Sequence, residues 1–119
     1  MSEASIMRRI MVAASAAGAR VFRNNVGLFD TKDGRKIRTG LCVGSSDLIG
    51  WTPVQVRPDM VGKKVAIFTA LEVKAGRGSA TKDQAAFIEA VKNAGGIAEV
   101  VRGEDQALDL LKSPPSGSE

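Results

Sequence analysis

Apolar positions along the chain change period several times, and each change marks an element. Between Ser2 and Ala17, the residues Glu3, Ile6, Met7, Ile10, Ala14 and Ala17 recur at three- and four-residue spacing, with Arg8 and Arg9 off the stripe and Gly18 after it. That period predicts a first helix, with the glycine as its stop. "ARVFRNNV" then reads as a strand, and "GLFDTKDGRKIRTGL" as a glycine-punctuated basic connection with a hairpin turn at Lys32-Asp33-Gly34. "CVGSSDLIGW" returns to strand after a turn of small residues, and "TPVQVRPDMVGKK" is a proline-containing loop or wide hairpin. It leads into "VAIFTALEVK", residues 65–74, the strongest strand signal in the chain.

The second half is as clearly marked. "AGRGSATKDQ" is a turn into a second helix, where Thr81 and Gln84 stand at capping-box spacing, Gln84, Phe87, Ile88 and Val91 share a face, and Gly95-Gly96 ends the run. "IAEVV" is a following strand and "EDQALDLL" a last short helix. The order predicts an α/β fold, a mixed β-sheet flanked by helices. With 119 residues the chain suits one domain, residues 1–112, followed by a tail, 113–119, whose composition predicts disorder.

The strong strand poses a chemical question. Side chains alternate across a strand, so Phe68, Ala70, Glu72 and Lys74 share one face and emerge together at its C-terminal end. Burying a carboxylate and an ammonium gains little stability over an apolar replacement. A carboxylate can hold a hard cation, and a neighbouring lysine can orient an attacking water or stabilise phosphate charge. The plain alternative is a solvated ion pair at a strand end. Asp47 in "VGSSDLIGW" has two readings as well, a turn residue bonded to local backbone or a second carboxylate for the same site.

An acidic residue on a first helix, an Asp opening a hairpin, Glu-x-Lys on the next strand and Gln on the following helix together resemble the P-D-(D/E)-x-K nuclease superfamily. More narrowly, "GLCVGSSDLIGW", "TALEVKAGRGSATKDQAAFIEAVKNAGGIAEVVR" and "EDQALDLL" resemble the virus-type replication-repair nuclease (VRR-Nuc) domain in its standalone phage form. The resemblance implies a restriction-endonuclease-like core and hydrolysis of DNA phosphodiester bonds with Mg²⁺ or Mn²⁺. It implies Asp47 and Glu72 as metal ligands, the Val73 carbonyl completing the inner shell, Lys74 as the catalytic lysine, Gln84 reaching back from its helix, and Glu3 as the first-helix acid. Gln84 reads equally as a capping residue, and Glu3 as an acid favoured by the helix dipole. Ser46 stands where the superfamily motif has proline. Standalone members of the family are homodimers acting on four-way junctions, which implies a dimer and branched DNA here; phage replication or recombination proteins as partners stay open.

Charge agrees with a polyanionic partner. Through Arg102 the chain carries a surplus of +7, and −3 thereafter. Arg20, Arg23, Lys32, Arg35, Lys36 and Arg38 precede the candidate site, and Arg77 and Lys82 flank a glycine-rich turn able to approach phosphates. Four Phe and one Trp are too few for a single-strand stacking platform, so duplex or branched DNA is the expected partner. "GRG", Gly76 to Gly78, lacks the rest of a nucleotide-binding loop. The absence of His and Tyr excludes mechanisms built on them, and Cys42, without a His to activate it, is expected to be an ordinary core residue. No membrane-spanning run or signal peptide is visible, and one cysteine makes no internal disulfide, so the expected location is cytoplasmic. Val54, Val56, Met60 and Val61 are candidates for a dimer interface. Two other readings remain. A noncatalytic nucleic-acid-binding or assembly module would keep the fold but has no use for a buried carboxylate pair, and a restriction-type enzyme would need a target-recognition segment, which is not visible.

Overall fold

The computed structural model describes residues 2–112, and the expected disordered tail, 113–119, lies outside them. The chain runs α1 (Glu3–Ala16), β1 (Arg20–Arg23), β2 (Gly27–Asp30), β3 (Lys36–Thr39), β4 (Leu48–Trp51), β5 (Thr69–Val73), α2 (Lys82–Asn93), β6 (Ile97–Val101) and α3 (Glu104–Lys112), with one 3-10 turn at Pro58–Met60. The α/β class expected from the alternation is therefore observed, with antiparallel and parallel strand pairs in two-stranded sheets and three helices among the described residues. The described residues gather into two compact units, 2–52 and 53–112.

In the first unit α1 is capped at both ends. The Ser5 N–H donates to Ser2 Oγ (3.1 Å), and Gly18, at φ +91°, closes the helix by donating to Ser15 O while Ala19 N–H donates to Ala14 O. The half-covered stripe of α1 is Ala4, Met7, Met11 and Ala14, and the helix packs on β1. It corrects the stripe expected from spacing: Met7 and Ala14 are common to both, but Glu3, Ile6, Ile10 and Ala17 are exposed. Three- and four-residue spacing fits both stripes, and the helix turns its smaller and more pliable side chains inward.

β1 and β4 pair antiparallel from Arg20↔Trp51 to Arg23↔Leu48, and β2 and β3 form the expected hairpin from Gly27↔Thr39 to Asp30↔Lys36. The hairpin turn needs glycine: Gly34 sits at φ +84°, its N–H bonded to Thr31 O. Cys42 is exposed rather than in the core, because its segment is a turn whose backbone bonds are local: the Cys42 carbonyl accepts from Ser45 N–H and Ser45 Oγ.

In the second unit β5 and β6 pair parallel, from Thr69↔Ile97 to Val73↔Val101, joined through α2. The strand expected over 65–74 is shorter at its start. Its partner begins at Ile97, just after Gly95-Gly96, and the pairing ends with Ile97 N–H donating to Phe68 O, so Val65 and Ile67 stay exposed outside the ladder. The capping box expected at Thr81 is present: Gln84 N–H donates to Thr81 Oγ1 (3.2 Å) and Thr81 N–H to Gln84 Oε1 (2.9 Å). At the far end Gly95 and Gly96 N–H groups return to Lys92 O and Val91 O, with Gly95 at φ +98°. Among the described residues the buried hydrophobic side chains are Ile88 and Val91 of α2 and Ala98 and Val101 of β6, with Val91 fully covered.

Candidate active site

Glu72 and Lys74 lie at the C-terminal end of β5, on the face that also carries the half-buried Phe68 and Ala70, while Thr69 and Val73 on the other face are exposed. Lys74 Nζ is 4.0 Å from Glu72 Oε1, with the two side chains 21% and 29% exposed. The other ion pairs among the described residues, such as Arg57–Asp59 and Lys92–Glu99, are at least 46% exposed on both partners. Of the readings open from sequence, the freely solvated pair is the one this covering disfavours. At 4.0 Å the groups attract without exchanging a hydrogen bond, so the carboxylate keeps its acceptor capacity and the ammonium its donors.

Beside them Ala70, Leu71, Glu72, Asp83, Gln84, Phe87 and Ile88 line a cleft of about 360 Å³ between β5 and α2. Gln84 lines the same cleft as Glu72, and the capping role is the one its hydrogen bonds show: Oε1 accepts from Thr81 N–H. Asp83, beside Gln84 at the start of α2, is a cleft acid that sequence reading passed over, since an acid there is explained by the helix dipole alone.

Asp47 directly precedes β4 in the first unit, where its carbonyl accepts from Asn24 N–H (2.8 Å). Asn24 Nδ2 also donates to Ser45 Oγ and Ser46 O, and Asn24 Oδ1 accepts from Leu41 N–H, so one half-buried side-chain amide ties together the Gly-Ser-Ser turn that presents Asp47. The Asp47 side chain is exposed and Glu72 is only partly covered, which corrects the expectation of a buried carboxylate pair. Ser46, in the position of the motif proline, contributes its carbonyl to this turn. Glu3 is exposed at the first position of α1.

Among the described residues no group of three or more His, Cys, Asp or Glu gathers to enclose a metal. The donors present suit a hard cation that keeps water and takes substrate oxygens, as Mg²⁺ does, and a partly covered carboxylate without a hydrogen-bonded partner is a fitting ligand for one. All eight candidate DNA contacts, Arg20, Arg23, Lys32, Arg35, Lys36, Arg38, Arg77 and Lys82, are exposed. Three are already engaged: Arg20 lies 5.9 Å from the Trp51 ring centre, Arg35 pairs with Asp33, and Lys36 with Asp30.

Arg102 was not singled out by sequence. It follows β6 as Lys74 follows β5, and its guanidinium bridges two carbonyls of the glycine-rich turn after β5, Nη1 to Gly76 O (2.9 Å) and Nη2 to Gly78 O (2.6 Å). The available signal was the pair of equal strands, "TALEV" and "IAEVV", each followed by a base.

An α/β nuclease-like fold carrying acid and lysine at a strand end defines a class of phosphodiester-directed domains. Residues 20–105 match the VRR-NUC domain, and the chain belongs to that family. The match spans Asp47, Glu72, Lys74, Gln84 and Arg102 but begins after α1, so Glu3 lies outside it. No curated protein and no solved structure gives a match. Membership makes this a nuclease domain acting on DNA. No helix among the described residues is long and apolar enough to cross a membrane.

Proposed function

We propose that this chain is a divalent-metal-dependent endonuclease that hydrolyses DNA phosphodiester bonds and selects branched substrates such as four-way junctions. The observation that carries the reading is the Glu72–Lys74 pair, held 4.0 Å apart and about three-quarters covered at the rim of a cleft, where a purely structural pair gains little. Asp47, Glu72 and the Val73 carbonyl would hold Mg²⁺ or Mn²⁺. Such an ion supplies Lewis acidity toward the scissile phosphate and a more acidic bound water.

Lys74 donates from its ammonium to the attacking water or a phosphate oxygen, stabilising the negative charge that develops there. The Gln84 amide N–H₂ group donates within the cleft and orients whichever oxygen enters it. The exposed bases on β1, β3 and the glycine-rich turn neutralise flanking phosphates and set the register of the duplex. As a homodimer the chain would present two such sites to the paired strands of a symmetric junction.

Incubating the purified protein with labelled linear, flap and four-way junction DNA in Mg²⁺, Mn²⁺ or EDTA tests the reading. Junction cleavage that EDTA abolishes is expected. Binding without cleavage under every metal condition would favour a noncatalytic DNA-binding module.

A further inference from the structure

The geometry points to Arg102 as a positioning residue for Lys74: its guanidinium, spanning the carbonyls of Gly76 and Gly78, fixes the turn that abuts the lysine and holds it in place for the reaction. This inference rests on the nuclease reading. The turn begins immediately after Lys74, and Gly78 N–H closes it on Ala75 O (3.0 Å). It folds back on the lysine stem, since a Cβ placed on Gly78 would lie 3.8 Å from both Lys74 Cβ and Cδ. Lys74 N–H is itself anchored on Val101 O (3.1 Å), one residue before Arg102.

Arg102 is held in turn. Its N–H donates to Gln106 Oε1 (2.6 Å), so the first turns of α3 are tied through one arginine to the turn beside Lys74. A planar guanidinium can bridge two carbonyls at fixed spacing, which a lysine ammonium cannot reproduce with the same geometry. Arg77, between the two clamped carbonyls, is fixed at the backbone and leaves its own guanidinium exposed for phosphate.

The test compares wild type, Arg102→Lys and Gly76→Ala in the full chain. Arg102→Lys keeps the charge and loses the bridge. Gly76→Ala keeps Arg102 and strains the turn, because Gly76 sits at φ +55° with open space where the methyl would go. Both variants are expected to lower the single-turnover rate at saturating junction DNA by roughly 10–100-fold, as misplacement of a reacting group does. Affinity and its salt slope should stay near wild type, because no positive charge is removed. Hydrogen exchange at Gly78, whose N–H is bonded to Ala75 O, should quicken while Val91 and Val101 remain protected, which separates a loosened turn from an unfolded domain.

If Arg102→Lys fails to keep Val91 and Val101 protected, Gly76→Ala decides alone. A wild type that cuts and variants that cut equally fast overturn the positioning role and leave the nuclease reading intact. So does an Arg102→Gln variant whose only defect is weaker binding with one counterion less in the salt slope, since Arg102 is then a phosphate contact. A wild type that cuts no DNA with any metal removes the nuclease reading, and the positioning role falls with it.

Discussion

Asp33 shows how one side chain governs a neighbour's availability. The Thr31 hydroxyl donates to its carboxylate, which holds the group below the usual carboxylate range, and Arg35 Nε lies 3.4 Å from its other oxygen. A lowered pKa in the folded state stabilises the hairpin above the ordinary carboxylate value and loses that contribution as pH falls through the lowered one. At neutral pH Asp33 is therefore a fixed negative charge beside a candidate DNA contact. Asp33→Asn is expected to tighten DNA binding by a few-fold at low salt and to leave single-turnover cleavage unchanged, as read by titration and quench assays. Lys74→Ala should give the converse, with most cleavage lost and affinity reduced only by one phosphate-facing charge. Arg35→Ala should weaken binding and lower the salt slope by about one counterion while leaving cleavage at saturation nearly intact. Matching profiles for Lys74→Ala and Arg35→Ala would place Lys74 in the basic surface instead of the reaction.

At the scale of elements, the seam between α2 and β6 is the most tightly specified part of the chain. Val91 is 1% exposed, and a Cβ on Gly96 would come within 2.6 Å of its Cγ1 and 2.8 Å of Phe68 O. Val91→Ala should cost about 2 kcal/mol by lost burial and cavity formation, measured by denaturant unfolding. Gly96→Ala should destabilise comparably although it adds only a methyl, because backbone stands in its way. These elements were legible in the sequence because local chemistry fixes them: Thr81, Gln84 and the Gly pair mark the helix ends, and the short apolar run "IAEVV" after the glycines marks the strand. The start of β5 was not legible, since "VAIF" is apolar enough for a strand and only the position of Ile97 decides where pairing begins. The face of α1 was ambiguous for a similar reason, two stripes sharing Met7 and Ala14. Glu72, Lys74 and Gln84 stand out in the sequence as candidates because their types and spacing signal chemistry. Arg102 could not, because its partners are carbonyls, which every residue carries.

For the whole molecule, the candidate ligands Asp47 and Glu72 come from different compact units, so their joint action is a prediction about assembly of the site. Asp47→Asn and Glu72→Gln should each weaken Mn²⁺ binding and lower cleavage as Lys74→Ala does. Metal titration with unchanged affinity in both variants would separate them from the metal. Of the proposed dimer contacts, Val54, Val56 and Val61 are exposed and Met60 is half-covered, and sedimentation should show a dimer at working concentration that a charge at Val56 disrupts. A monomer cutting junctions at full rate would remove the dimer from the mechanism.

The buried quartet Ile88, Val91, Ala98 and Val101 also bears on the order in which the chain folds. These residues are close in sequence, joined by a helix capped at both ends, so their contacts cost little loop-closure entropy. Pairing of β5 must follow, because Thr69 and Ile97 are brought together only across that helix. Val91→Ala should therefore slow refolding more than it speeds unfolding, whereas Phe29→Ala in the β2–β3 hairpin should act mainly on the unfolding limb of a chevron plot. On that order Glu72 and Lys74 acquire their neighbours late, and a refolding assay read by cleavage should lag behind one read by helix content.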